Sequence, residues 1–234
     1  MNARSNITFF LEVRRMKKLF TAIKASDLET VRQIIEKTPA LVNCVAKQPP
    51  KKDDGQSPLQ VALKTGNCAL ENYLLDMGAD VSFIEDESCC NAWRAPVLHD
   101  AINCAVMSCR WNTNDQYMGF RVFSTKERAV EALGVLKRML DMGADANALD
   151  SYGNSGLNRF ALQAKQILPT YSHVEQREKT DRVFTEELHE DLRNVLQALR
   201  DAGANVSYIA PNLGYTIREF CSEGSISVLF DEVF

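Results

Sequence analysis

Leu74-Leu75-Asp76-Met77-Gly78-Ala79-Asp80-Val81-Ser82 is the stretch on which the reading of the chain turns. Apolar residues lead into it at helical spacing, with Leu70, Tyr73, Leu74 and Met77 three or four apart. Glycine then closes the helix, since it enters the left-handed conformation without a Cβ clash. A small residue and a turn-favouring Asp follow. The same ending returns as Met139-Leu140-Asp141-Met142-Gly143-Ala144-Asp145-Ala146-Asn147 and as Leu199-Arg200-Asp201-Ala202-Gly203-Ala204-Asn205-Val206-Ser207. Ile34-Ile35-Glu36-Lys37-Thr38-Pro39-Ala40-Leu41-Val42-Asn43 is a looser version. Helical spacing also precedes the later endings, through Val130, Leu133, Leu136 and Leu140, and through Leu188, Leu192, Val195, Leu196 and Leu199. A further helix-like stretch lies before each, at 59–65, 98–109 and 157–168. The unit is helix, turn, helix, extended loop. One such pair cannot bury its own apolar stripe, so units of this kind stack.

Asp54-Gly55-Gln56-Ser57-Pro58-Leu59-Gln60-Val61-Ala62, continued by Gly66-Asn67 and Gly78-Ala79-Asp80-Val81, resembles one ankyrin repeat. That family's pattern runs D-x-x-G-x-T-P-L-H-x-A-A-x-x-G-H, then a helix, then G-A-D-V-N. The 12-residue step from Gly66 to Gly78 is similar to the family's own. Residues 19–43 resemble a first repeat without its loop, through Ala22, Ile23, Asp27, Leu28, Val31, Ile34 and Ile35. A third keeps Leu98-His99-Asp100-Ala101, and a fourth keeps Asp150, Gly153, Ser155 and Leu157. A truncated fifth keeps Gly214-Tyr215-Thr216-Ile217 and Gly224. The resemblance covers about 18–234. It implies an all-α, ankyrin-type helical repeat solenoid with two extended helix pairs and short hairpin-like fingers. It also implies a recognition scaffold whose fold-specifying residues are separate from those that choose a partner.

Spacing locates the departures. The family period is about 33 residues, yet Gly78 to Gly143 is 65 and Gly143 to Gly203 is 60. A hidden repeat would need its own glycine ending near 110 or 170, and none stands there. Leu98 to Gly143 spans 45 and Leu157 to Gly203 spans 46, against 19 from Leu59 to Gly78. The third and fourth repeats therefore each carry about 26 extra residues at the same point. Long helices are expected over 126–142 and 185–202, with irregular loops near 110–125 and 169–184 and Pro169 stopping its helix. The expected layout is a 1–17 N-terminal extension or capping helix and a single domain over 18–234. Its five repeats are 18–45, 53–82, 91–147, 150–207 and 212–234. Ile7, Phe10, Leu11 and Arg14 would give the capping helix an apolar face; Phe220, Ile226, Val228, Leu229, Phe230 and Phe234 would close the other end.

Composition is that of a globular chain: 234 residues, 45% hydrophobic and 25% charged, with a net charge of −4. No apolar run reaches the roughly 20 residues that span a bilayer, and the N-terminus lacks a signal-peptide pattern. Charge is uneven: residues 1–52 hold 11 Lys and Arg against 4 Asp and Glu, and residues 184–234 hold 3 against 9. This asymmetry can steer a charged partner, but no nucleic-acid-reading motif accompanies the basic end. Seven cysteines with no CxxC pair fit a reducing, cytoplasmic setting.

Catalytic patterns are sparse. His99-Asp100 is the one tempting His–acid pair, and neighbours on a helix point about 100° apart. Under the resemblance His99 is structural. His189 and His173 lie among polar residues, and there is no nucleophile elbow, HExxH or phosphate-cradling glycine loop. No catalytic residue, metal or cofactor is expected.

Under the resemblance, partners sit on finger loops and on the concave face of the inner helices. The finger candidates are Lys51, Lys52 and Asp53; Phe83, Glu85, Trp93 and Arg94; Tyr152; and Tyr208. The inner-helix candidates are Lys64, Asn103 and Arg159. Trp111, Tyr117 and Phe120 form a second aromatic group in the first insertion. The expected function is non-catalytic binding of another protein by a monomer, with no nucleic acid and no membrane. Two alternatives stay open: an inhibitor or immunity-type protein that masks a toxin or enzyme, and an enzyme or metal-binding protein using His99 with Cys89, Cys90, Cys104 and Cys109.

Overall fold

Glycine sets the backbone at each helix ending. In the computed structural model, which describes residues 3–234 with side chains from residue 13 onward, Gly78, Gly143 and Gly203 have φ of 83°, 96° and 80°. Each is followed by a buried alanine whose N–H bonds back into the last turn. Ala79 reaches Leu74 O, Ala144 reaches Met139 O and Ala204 reaches Leu199 O, all at 3.0 Å. These bonds satisfy carbonyls that the end of a helix would leave orphaned.

The described residues contain ten helices and two small hairpins, in two compact units, Met1–Val97 and Leu98–Phe234. The first unit holds α1 (Ala3–Lys24), α2 (Leu28–Lys37), α3 (Pro58–Leu63) and α4 (Cys68–Asp76). Asp27 starts α2 by accepting from Thr30 N at 3.0 Å, and Val31, Ile34 and Ile35 form its buried stripe. Ser57 starts α3 in a reciprocal capping box with Gln60. From Ala3 the extension expected over 1–17 is continuous with the following residues in one helix, α1. Ile7, Phe10 and Leu11 lie outside the residues whose side chains are described, and Arg14 is exposed.

The second unit is built on α5 (Val97–Met107), whose first residue precedes the division. It continues with α6 (Lys126–Asp141), α7 (Gly156–Ala164), α8 (Glu186–Asp201), α9 (Ile217–Phe220) and α10 (Ser225–Val233). The long helices expected over 126–142 and 185–202 are α6 and α8, each opened by a threonine cap, Thr125 and Thr185. Ser155–Asn158 and Thr216–Glu219 form capping boxes at α7 and α9.

Neighbouring endings are clipped together by asparagine, in the same way within each unit. Asn43 donates its amide to Gly78 O at 3.0 Å and accepts from Asp80 N at 2.8 Å. Asn147 donates to Gly203 O at 3.0 Å and accepts from Asn205 N at 2.7 Å. Two bonds from one amide fix the spacing of successive loops better than apolar packing, which is not directional.

The insertions correct the all-α expectation. The loops near 110–125 and 169–184 are antiparallel hairpins: β1 (Asn112–Asp115) with β2 (Gly119–Val122), and β3 (Tyr171–Ser172) with β4 (Arg177–Glu178). Asp115 Oδ1 accepts from Tyr117 N and Met118 N, and Gly119 at φ 68° turns the chain back. Among the described residues, no helix is long and apolar enough to cross a membrane.

Candidate binding site

Loop 47–54 folds back on its own unit. Asp53 is buried and its carboxylate meets Lys24 Nζ at 2.7 Å. Asp54 accepts from Cys90 N at 2.9 Å and Gln48 N at 3.1 Å, and the Cys90 amide is the main cause holding its carboxyl below the usual range. Gly55 permits this closeness, since a Cβ there would lie 2.4 Å from Cys89 Cβ. Lys51 and Lys52 are exposed.

Glu85 also faces inward, accepting from Ala95 N at 2.6 Å. Asp53 and Glu85 are therefore framework residues and not the exposed finger contacts the sequence suggested. A charged side chain in a loop reads as solvated until the cation or amide that satisfies it is known. Phe83 and Trp93 are half-buried, and Arg94 lies 3.7 Å from Glu87. Lys64 is exposed at the C-terminal end of α3.

In the second unit the inner-helix candidate Arg159 joins a buried polar cluster. Asp150, whose side chain is fully buried, accepts from Tyr152 N, Asn154 N, the Asn154 amide and the Arg159 guanidinium at 2.9–3.1 Å. Arg159 thus holds a loop and is not displayed; this revises its assignment as a partner contact. His99 Nε2 meets Ala148 O at 3.2 Å. A carbonyl only accepts, so Nε2 carries the hydrogen. Burial, reinforced by Arg159 and opposed by Asp150, pushes the imidazole pKa down to about 4. Asn103 is half-buried on α5, with Oδ1 enclosed and unpaired. Tyr208 spends its hydroxyl on Gly153 O at 2.9 Å, whereas Tyr152 stays exposed.

A cavity of about 220 Å³ lies beside α9 and α10. Its polar groups are engaged with one another: Lys165 donates to Phe220 O, His173 meets Glu223, and Glu178 accepts from Ser225 N and Oγ at the start of α10. The cysteines are free thiols, and burial drives the Cys109 thiol well above its ordinary range. Among the described residues, no three His, Cys, Asp or Glu side chains converge as a metal site.

One feature escaped the sequence reading. The residue six places beyond each helix-ending glycine is an exposed aliphatic: Ile84, Leu149 and Ile209, at 47%, 41% and 56% exposure. The signal was present once the endings were aligned on glycine. Ile84 pairs with Pro96, and Ile209 with Thr216, in single β-bridges, so these two loop tips are held extended. No protein-family model matches this chain, and no curated protein sequence matches it.

Proposed function

We propose that the chain is a non-catalytic protein-binding module of ankyrin-repeat type, presenting its loop tips to a partner protein. The carrying observation is the recurrence of an exposed aliphatic at one register in three loops, Ile84, Leu149 and Ile209. The neighbouring positions serve the fold: the glycine sets φ, the alanine is buried, and Asn43 and Asn147 clip the next ending. A single exposed aliphatic is ordinary on a protein surface; its return at one register in three loops is what we read as an interaction site. Exposed Lys51 and Lys52 with half-buried Trp93 in the first unit, and exposed Tyr152 in the second, add residues of hot-spot or charged character within each unit. The repeated clips and capping boxes support the repeat architecture, and the free thiols support a reducing compartment such as the cytoplasm.

The test replaces Ile84, Leu149 and Ile209 together by Ser. Proteins co-purifying with the parent chain are identified by mass spectrometry and re-tested against the triple variant. Loss of a specific partner with unchanged thermal unfolding supports the reading; full retention refutes it. If the recovered partner is a toxin or enzyme and its activity falls on binding, the inhibitor form of the reading follows.

A further inference from the structure

In the first insertion, backbone and side chains together leave one sheet edge open. Phe123 N–H bonds to Trp111 O at 2.9 Å, which fixes the phase of the β1–β2 ladder. Antiparallel pairs alternate between bonded and non-bonded. With the observed register, Thr113–Arg121 and Asp115–Gly119 are then bonded pairs, and Asn112–Val122 and Asn114–Phe120 are not. The N–H and C=O groups of Asn114 point away from β2, and Asn114 N indeed donates to Asp181 O at 2.8 Å. By the same alternation, the N–H and C=O groups of Phe120 and Val122 point away from β1. No described residue pairs with them.

The inner edge of this hairpin is covered. Asn112 exchanges two bonds of 2.8 Å with Val183, and Asn114 Nδ2 donates to Thr180 O. The outer edge has every β2 residue exposed, with Phe120 and Val122 each at 50%. An uncovered edge with apolar side chains is a template for another strand. Arg121 lies between them on the opposite face, exposed, and no carboxylate among the described residues pairs with it.

We propose that the β2 edge takes an extended segment of another protein that reads apolar–acidic–apolar, added as an antiparallel strand. This surface is separate from the loop tips of the proposed function. Bonding at Phe120 and Val122 makes Arg121 the non-bonded position between them, where facing side chains approach most closely. A partner Asp or Glu there meets the guanidinium, and its two apolar neighbours lie beside Phe120 and Val122. Arg121 also selects against a second copy. Two β2 edges paired antiparallel through both bonding positions would set Arg121 against itself, and like charges directly opposite are unfavourable.

The probes are two fluorescein-labelled synthetic decapeptides, Thr/Ser-rich with a central Ile-Glu-Ile or Ile-Lys-Ile, titrated with the full chain by anisotropy. The acidic peptide is expected to bind roughly tenfold tighter, and Arg121→Glu is expected to invert that preference. Val122→Pro removes an outward N–H that β1 does not use, and it is expected to abolish binding of both peptides. If that variant fails to fold, Arg121→Glu alone decides. The proposal is overturned if neither peptide binds, if both bind equally, or if Arg121→Glu leaves the preference unchanged. It is also overturned if binding survives in folded Val122→Pro, or if sedimentation shows a dimer that Val122→Pro dissociates.

Discussion

His99 makes stability depend on pH in a window that few other groups touch. It is the third residue of α5, and its Nε2–H donates to Ala148 O while Nδ1 is buried without a partner. Protonation would add a donor at Nδ1 with nothing to receive it, beside the Arg159 charge. The folded pKa of about 4 lies below the ordinary 6.5. As pH falls below 6.5, the unfolded chain takes up a proton that the folded chain refuses until about 4. Stability is therefore fully present above 6.5, is lost between 6.5 and 4, and is flat in this contribution below 4. At about 1.4 kcal/mol per pH unit, the loss approaches about 3 kcal/mol.

The control comes from the other unit. Gln60, the third residue of α3, donates Nε2 to Ala95 O at 3.2 Å and does not titrate. His99→Gln should keep the donor and remove the proton linkage. Urea unfolding at half-unit steps from pH 7 to 4 should then show parent and variant diverging by about 3 kcal/mol in slope-corrected stability. Carboxylates held low in the fold, such as Asp27 and Asp181, act below about 4 and cancel in the difference. Parallel curves for parent and His99→Gln would refute the reasoning.

Asn147→Ala removes both arms of a clip and should cost about 1–2 kcal/mol in urea unfolding, because each bond contributes about 1 kcal/mol; no loss would show the clip to be incidental. Gly156→Ala should destabilise by about 2 kcal/mol although alanine favours a helix, since its Cβ would lie 2.6 Å from Ala146 O. Gly143→Ala meets nothing within 4 Å and should cost only the backbone term at φ 96°, about 1–2 kcal/mol. Equal or raised stability in either variant counts against the geometry. Arg110→Met strands the buried Asp191 carboxylate, which Arg110 holds at 2.7 and 2.9 Å, and should lower stability by about 3 kcal/mol. Adding Asp191→Leu should restore most of it; failure to do so would locate the effect elsewhere.

What could be read from sequence followed from rules that act over a few residues. A glycine that follows an apolar helical run and is itself followed by Ala and then Asp or Asn closes the helix. Gly134, without that sequel, stands inside α6, whereas Gly78, Gly143 and Gly203 were legible. So were α6 and α8, whose apolar positions keep helical spacing over four turns. The hairpins were not, because Asn112-Thr113-Asn114-Asp115 has no apolar alternation. Its structure depends on the segment around Val183, 71 residues away. Asp53 and Glu85 failed in the same manner: their partners, Lys24 and Ala95 N, lie outside the local pattern. The aliphatics Ile84, Leu149 and Ile209 were legible only in comparison with one another, since each alone looks like an ordinary loop residue.

The two insertions make sense only as a pair. A two-stranded hairpin is marginal in water by itself, and β1 carries almost no apolar surface. It gains order from both sides: Trp111 stacks on Phe123 at 4.4 Å, and Asn112 and Asn114 bind the run 180–183 of the second insertion. The second insertion is tied down in turn at its far end, where Glu178 accepts from Ser225 N and Oγ at the start of α10 and favours that helix terminus with its charge. Beneath both, Arg110 at the exit of α5 grips Glu190 and Asp191 on α8, so the helix that launches the first insertion is tied by charge pairs to the helix that follows the second. Each link uses polar groups that would cost energy if buried alone. An insertion at the same point in two successive helix pairs is thus a way to let each cover what the other exposes. The outer edge of β2, with Phe120 and Val122 each half exposed, is left uncovered by both insertions.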